Sequence, residues 1–187
     1  MVIPDSGATS SAATSSGDGN RNIIVTGFMG TGKTTVGRRL AELTGRRFVD
    51  MDDVIIERGG MTIPEIFAQK GEAGFRALEA QVCRELAAQN GLVIATGGGA
   101  LVNAENRAVM QAAGLLVCLS ATPDALWSRL ESEAAGRPML ANGDWRGLLE
   151  KRRAAYDEIT HQVDTTGKTP DEVAQEIIEL WHQTEST

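Results

Sequence analysis

With 187 residues, 42% of them apolar and 23% charged, the chain is long enough to bury the core of one α/β domain and too short for two full-sized ones. A net charge of −7 argues against general affinity for nucleic acid or an anionic membrane, since both attract positive surface. Any anionic small molecule must therefore meet basic residues gathered locally.

Residues 1–20 are rich in Ser, Ala, Thr and Gly and carry no Lys or Arg. Such a segment buries too little apolar surface to offset the entropy of ordering and reads as a disordered tail, with one domain over 21–187. It lacks both the basic start and apolar centre of a secretory signal and the arginines of a transit peptide. No apolar run approaches membrane-spanning length, so a cytoplasmic protein is expected. The only cysteines, Cys83 and Cys118, show no metal-ligand spacing and read as buried thiols, which suit a reducing compartment.

The apolar run Ile23-Ile24-Val25-Thr26 predicts a first strand, followed at once by Gly27-Phe28-Met29-Gly30-Thr31-Gly32-Lys33-Thr34, a full match to GxxxxGK[ST]. A helix is predicted over 33–43, with Val36, Leu40 and Leu43 at helical spacing and Gly45 past its end. Strand, loop and helix in this order make a phosphate-binding P-loop. Backbone N–H groups of Gly30, Thr31 and Gly32 and the helix start converge on phosphate oxygens, Lys33 reaches the β- and γ-phosphates, and the Thr34 hydroxyl binds Mg²⁺. The competing interpretation is a glycine-rich turn that fits the pattern by accident.

A second short strand over 47–50 delivers Asp50, and Asp50-Met51-Asp52 places two carboxylates at its end. In an extended segment these share a face, one suited to a metal-linked water and the other to a substrate hydroxyl. The alternative is helix capping by Asp52 with Asp50 on the surface. A helix over 52–58 ends at Gly59-Gly60, and Thr62 with Glu65 forms a capping box for a helix to about residue 70. Another helix over 72–89 carries Phe75, Leu78, Val82 and Leu86 on one face. Arg76 beside them is either a ligand-binding cation or a partner of Glu72 or Glu79.

A third strand over 92–96 ends in Gly97-Gly98-Gly99, which suits close approach of backbone to a ligand, or else a plain flexible turn. A helix over 103–113, a strand over 115–119 and a helix opened by Pro123 and running to 133 follow. The segment 134–143 breaks the pattern and reads as a mobile loop carrying Arg137. That loop closes over a nucleotide and brings a cation to the transferring phosphoryl group. A helix over 145–157 bears the cluster Lys151-Arg152-Arg153, either a solvated face or a carboxylate site. A strand over 161–164 and a helix from Pro170 through Trp181 complete the pattern. His161 and His182 have no ligand or triad spacing. Five alternations of strand and helix predict a parallel sheet with helices on both faces and ligands at the strands' carboxyl ends.

The motifs GFMGTGKTTVG, VDMDD, GFRALE, TGGGA, GRPML and KRRAAY, in this order from Asn22 onward, resemble shikimate kinase. The resemblance implies an α/β P-loop NTPase fold of the nucleoside-monophosphate-kinase-like type, with five parallel strands in the order 2-3-1-4-5, a substrate-binding region about 50–80 and a lid about 134–143. It implies ATP-dependent, Mg²⁺-requiring phosphorylation of the shikimate 3-hydroxyl on the route to chorismate and the aromatic amino acids.

Carried over by motif, Asp52 binds the ring hydroxyls and aligns the attacking one, while Asp50 looks towards Mg²⁺ through water beside Thr34. Arg76 and Arg152 clamp the carboxylate, and the backbone at Gly98 and Gly99 approaches the substrate. Gly30, Thr31, Gly32, Lys33, Thr34, Thr35, Arg137 and Lys168 bind ATP, and Lys33, Asp52 and Arg137 are catalytic. Thr165 and Pro170 join Lys168 in the adenine-side loop, with Arg129 stacking nearby. Met51 stands where the family often has a small hydroxyl residue, and Arg153-Ala154-Ala155 where a proline is common. Distance from Tyr156 selects Arg152 over Arg153. The rivals are a gluconate kinase of the same fold and a non-catalytic nucleotide-binding module. A monomer is expected, since no coiled-coil seam or long apolar edge is evident.

Overall fold

The computed structural model describes residues 20–133 and 144–185. The expected tail, up to residue 19, and the expected lid over 134–143 with Arg137 lie outside the described residues. The central strand is β1 (Asn22–Gly27), where every residue is buried. It is flanked by β3 (Leu92–Ala95) and β4 (Gly114–Ser120), with β2 (Arg47–Asp50) and β5 (His161–Asp164) at the edges. All pairings are parallel, as the alternation of strands and helices predicts, and the order is β2-β3-β1-β4-β5, as the resemblance implies.

Strand residues alternate between two apolar layers, which explains why the central strands read as unbroken hydrophobic runs. Ile24, Ile94, Leu116 and Cys118 face one cluster, built with Met51 and Ile55 of α2 (Met51–Gly59) and Phe75, Val82 and Leu86 of α3 (Ile63–Ala87). Met110 of α4 (Ala104–Ala113), Leu126 of α5 (Pro123–Glu133) and Tyr156 of α6 (Trp145–Asp157) extend it. Ile23, Val25, Val93 and Val117 face the other, against Val36 and Leu40 of α1 (Lys33–Thr44) and Val173, Ile177 and Trp181 of α7 (Pro170–Glu185). Both cysteines are free and buried, and burial pushes each thiol up to about 12.

The two helices expected on either side of residue 71 form one helix with a kink. Gly71, at φ 66° and ψ −178°, interrupts it where the sequence changes from one amphipathic segment to the next. The Thr62 and Glu65 capping box is present. A 3₁₀ turn over Ala100–Val102, which no periodicity announces, follows the triple glycine. Register then positions the site: Asp50 pairs with Ala95 and Val25 with Ala95, so the carboxyl ends of β2, β3 and β1 lie side by side. Thr96 donates its backbone N–H to Val25 O (3.0 Å) and its hydroxyl to Thr26 Oγ1 (2.8 Å), tying the triple glycine to the P-loop.

Candidate active site

The P-loop turns out of β1 and enters α1 through Gly32, whose φ of 90° and ψ of 20° are conformations a side chain would resist. Thr31 Oγ1 and Lys33 Nζ both donate to the Phe28 carbonyl, at 2.7 and 2.9 Å, so the loop is braced from within. Beside it lies a cleft of about 350 Å³, walled by the P-loop and the Thr34-Thr35 turn on one side and by Arg129, Thr165, Lys168 and Pro170 on the other. This brings every described residue expected to bind ATP into one cleft.

Arg129, expected to stack near the adenine, is engaged by the protein itself. Its guanidinium donates to Gly30 O (3.1 Å), Thr165 Oγ1 (2.9 Å) and Thr165 O (2.8 Å), and so bridges the P-loop to the segment after β5. Lys168 pairs with Glu176 at 2.6 Å on the rim.

Asp50 and Asp52 do not share the face of an extended segment. Asp50 is itself the N-cap of α2: its Oδ1 accepts the Asp52 backbone N–H (3.1 Å), and its Oδ2 accepts the Thr34 hydroxyl (2.9 Å). The helix begins one residue earlier than the sequence pattern suggests, and the cap, not strand alternation, holds the two acids together. Met51 points into the core, with Cys83 Sγ 3.8 Å from its sulfur. Asp52 is half-buried. Desolvation, then the charge of Asp50, raises its carboxyl above the ordinary carboxylate range, while Lys33 opposes the shift.

The triple glycine explains itself by what surrounds it. A Cβ on Gly97 would stand 2.6 Å from Asp52 Oδ1. One on Gly99 would stand 3.2 Å from both Arg76 Nη1 and Arg152 Nη2. Three successive residues thus carry an acid at one end and two guanidinium groups at the other, and side chains there would displace both. Arg152 Nη1 donates to Gly98 O (3.0 Å), as does the Tyr156 hydroxyl, and the Arg152 guanidinium lies 5.9 Å from the centre of the Phe28 ring.

Arg76 is held by Glu79 at 2.8 Å and more loosely by Glu72 at 3.6 Å. Glu79 is 2% exposed, so this pair is no solvated helix face. Burial raises the Glu79 carboxyl, against the pull of Arg76 and Arg152.

Of the alternatives the sequence leaves open for Arg76, the pairing with Glu79 is present, while the burial of that pair, the contact of Gly97 with Asp52 and any role for Tyr156 go unread. The signals were present: Glu79 occupies the 75–79–82–86 stripe, where an acid on an apolar face announces a buried pair, and Tyr156 follows Arg152 by one helical turn. The residues expected to hold the acid substrate, Asp52, Arg76, Gly98, Gly99 and Arg152, all meet at this loop, beside the P-loop.

The family model described as shikimate kinase matches residues 29–182. The chain belongs to the shikimate kinase family. The shikimate kinase of Geobacter sulfurreducens is 43% identical over 161 residues, covering 84% of this chain and 88% of that one. That of Pelotomaculum thermopropionicum is 42% identical over 162 residues, covering 84% and 94%. Among solved structures, shikimate kinase from Acinetobacter baumannii in complex with shikimate superposes with a TM-score of 0.80 at 39% identity, covering 89% of this chain and 96% of that one. A gluconokinase from Sinorhizobium meliloti, 16% identical with a TM-score of 0.58, shares the fold alone. As a member of the shikimate kinase family the protein is a P-loop kinase. Among the described residues, no helix is long and apolar enough to cross a membrane.

Proposed function

We propose that this enzyme moves the γ-phosphoryl group of ATP onto the 3-hydroxyl of shikimate, giving ADP and shikimate 3-phosphate in aromatic amino acid biosynthesis. The observation that carries the proposal is the arrangement around Gly97-Gly98-Gly99. A carboxylate-binding pair, Arg76 and Arg152, and a hydroxyl-binding acid, Asp52, reach one short loop from three different helices, and Lys33 lies close enough to act on the Asp52 charge. That pattern fits a small, carboxylated polyol placed beside the terminal phosphate.

Arg76 and Arg152 hold the carboxylate, each offering a planar pair of donors. The backbone at Gly98 and Gly99 lies against the ring, and Asp52 accepts the proton of the attacking hydroxyl. The hydroxyl oxygen bonds to phosphorus in line as the bond to the β,γ-bridging oxygen breaks, and ADP leaves. Gly30, Thr31 and Gly32 present N–H groups, and Lys33 its ammonium, to the β- and γ-phosphates. Thr35 lines the nucleotide cleft, and Lys168 borders the adenine side. Arg137 is assigned to the phosphates on the family resemblance.

Thr34 and, through water, Asp50 would hold Mg²⁺. Their side chains meet at 2.9 Å, and a donor set of one hydroxyl and one carboxylate suits an ion that keeps several waters. When bound, the ion offsets charge on the β- and γ-phosphates. Buried free thiols suit a reducing cytoplasm, and the exposed large apolar side chains Leu43, Ile56, Phe67, Val102 and Trp127 belong to different elements, which suits a monomer.

A coupled ADP-release assay with shikimate, gluconate or no acceptor tests the proposal. ADP formation dependent on shikimate is expected. Equal release without acceptor, or turnover of gluconate in its place, would overturn it.

A further inference from the structure

The Gly98 carbonyl is where side chains of α6 hold the triple-glycine loop. Gly97 O and Gly99 O accept the backbone N–H groups of Ala100 and Val102, at 3.2 Å each, within the loop and its 3₁₀ turn. Gly98 O instead accepts two side-chain donors one helical turn apart, Arg152 Nη1 and the Tyr156 hydroxyl. With no side chain of its own to pack, the loop takes its peptide orientation from these bonds. Because the 98–99 peptide is trans and planar, fixing the Gly98 carbonyl also fixes the direction in which the Gly99 N–H is offered.

The tyrosine ring is built into the core between the sheet and α6, with Gln162 Nε2 donating to the Tyr156 carbonyl (2.7 Å) and to Ile159 O (2.8 Å) at the end of that helix. Burial pushes the phenol up to about 12, so it stays a hydrogen-bond donor throughout the working range.

We propose that Tyr156 is a positioning residue for the acid substrate, which holds the Gly98 carbonyl so that the Arg152 guanidinium is available to a carboxylate and the Gly99 peptide keeps its aim. This rests on the assignment of Arg152 and Gly99 to the acid substrate. Without the phenol, Arg152 becomes the only side-chain donor to Gly98 O among the described residues, and the same guanidinium must then brace the loop and bind the ligand. Tyr156 reaches the loop from the α6 side and does not line the cleft between the P-loop and the segment after β5, so its effect falls on the acid substrate.

The test is Tyr156→Phe in the full-length enzyme, with shikimate and ATP each varied at saturation of the other. Phenylalanine keeps the buried ring and removes only the donor. The KM for shikimate should rise about three- to tenfold, the span of one net hydrogen bond, with the KM for ATP unchanged. Gln162→Leu is the companion: it loosens the end of α6 and lowers the melting temperature while leaving the KM for shikimate unchanged. A wild-type KM for shikimate in Tyr156→Phe, a parallel rise in the KM for ATP, or an equal rise in Gln162→Leu would overturn the inference while leaving the carboxylate site intact. A wild-type enzyme with no shikimate-dependent turnover would overturn the site assignment itself, and this role with it.

Discussion

Adding one methyl group at each of Gly97, Gly98 and Gly99 in turn tests whether the loop is glycine for reasons of space. None of the three has φ in the left-handed region, so the sign of φ does not itself demand glycine there. The effect is then steric and graded. At Gly97 the new Cβ would lie 2.6 Å from Asp52 Oδ1, so the carboxylate must retreat by roughly 0.5–1 Å to reach an ordinary contact. A misplacement of about 1 Å at a reacting group costs up to about a hundredfold in rate, which puts the loss of kcat between roughly ten- and a hundredfold. At Gly99 the contacts are 3.2 Å to the ends of two flexible guanidinium groups, which yield by a few tenths of an ångström. The KM for shikimate should rise with a smaller change in kcat. At Gly98 the nearest atom is 3.6 Å away, an ordinary contact, and Gly98→Ala should be the mildest of the three. Steady-state ADP release with both substrates varied measures the series. A Gly97→Ala enzyme with wild-type kcat, or a Gly98→Ala enzyme worse than Gly97→Ala, would refute the steric argument.

Asp52→Asn should lower kcat by about two orders of magnitude, roughly 3 kcal/mol in the barrier, with the KM for ATP unchanged. Near-normal turnover would remove Asp52 from the mechanism. Because the folded Asp52 carboxyl is raised above its ordinary range, its stabilising contribution is complete below that range and lost as pH rises through the raised value. The same variant should therefore melt higher than wild type at pH 7, with the gain shrinking towards pH 4, as differential scanning fluorimetry can show. The base must be ionised to act, so kcat/KM for shikimate should fall on the acid side as Asp52 takes up its proton, at a pH higher than an ordinary aspartate would, and a profile flat through the acid range would contradict this role. Arg129→Ala cuts the bridge between Gly30 and Thr165 and should raise the KM for ATP while sparing that for shikimate in the same assay.

The elements and their order were legible because the signals were local. The P-loop pattern, the unbroken apolar strands and the capping box at Thr62 each state a backbone conformation within a few residues, and the parallel sheet follows from their alternation. The site residues were legible through motifs, although their neighbours were not. Nothing near Gly97 in the chain announces Asp52, 45 positions earlier, since the contact arises from the pairing of β2 with β3. The kink at Gly71 divides helical patterns that join in space, and the 3₁₀ turn after Gly99 is too short to have a period. Asp50, metal-facing or on the surface by sequence alone, is a cap in the structure, because capping depends on where the helix begins, and a boundary shift of one residue exchanges the roles of neighbouring acids.

The proposed site seats an acid-bearing ring at the triple-glycine loop, with its carboxylate at two arginines and its hydroxyl at Asp52. A crystal structure with shikimate and ADP bound measures this directly. The carboxylate should lie between Arg76 and Arg152, within about 3.2 Å of a nitrogen of each, with a ring hydroxyl at hydrogen-bond distance from Asp52. A carboxylate seated away from either arginine, or a ring whose hydroxyls all lie beyond the reach of Asp52, would contradict it.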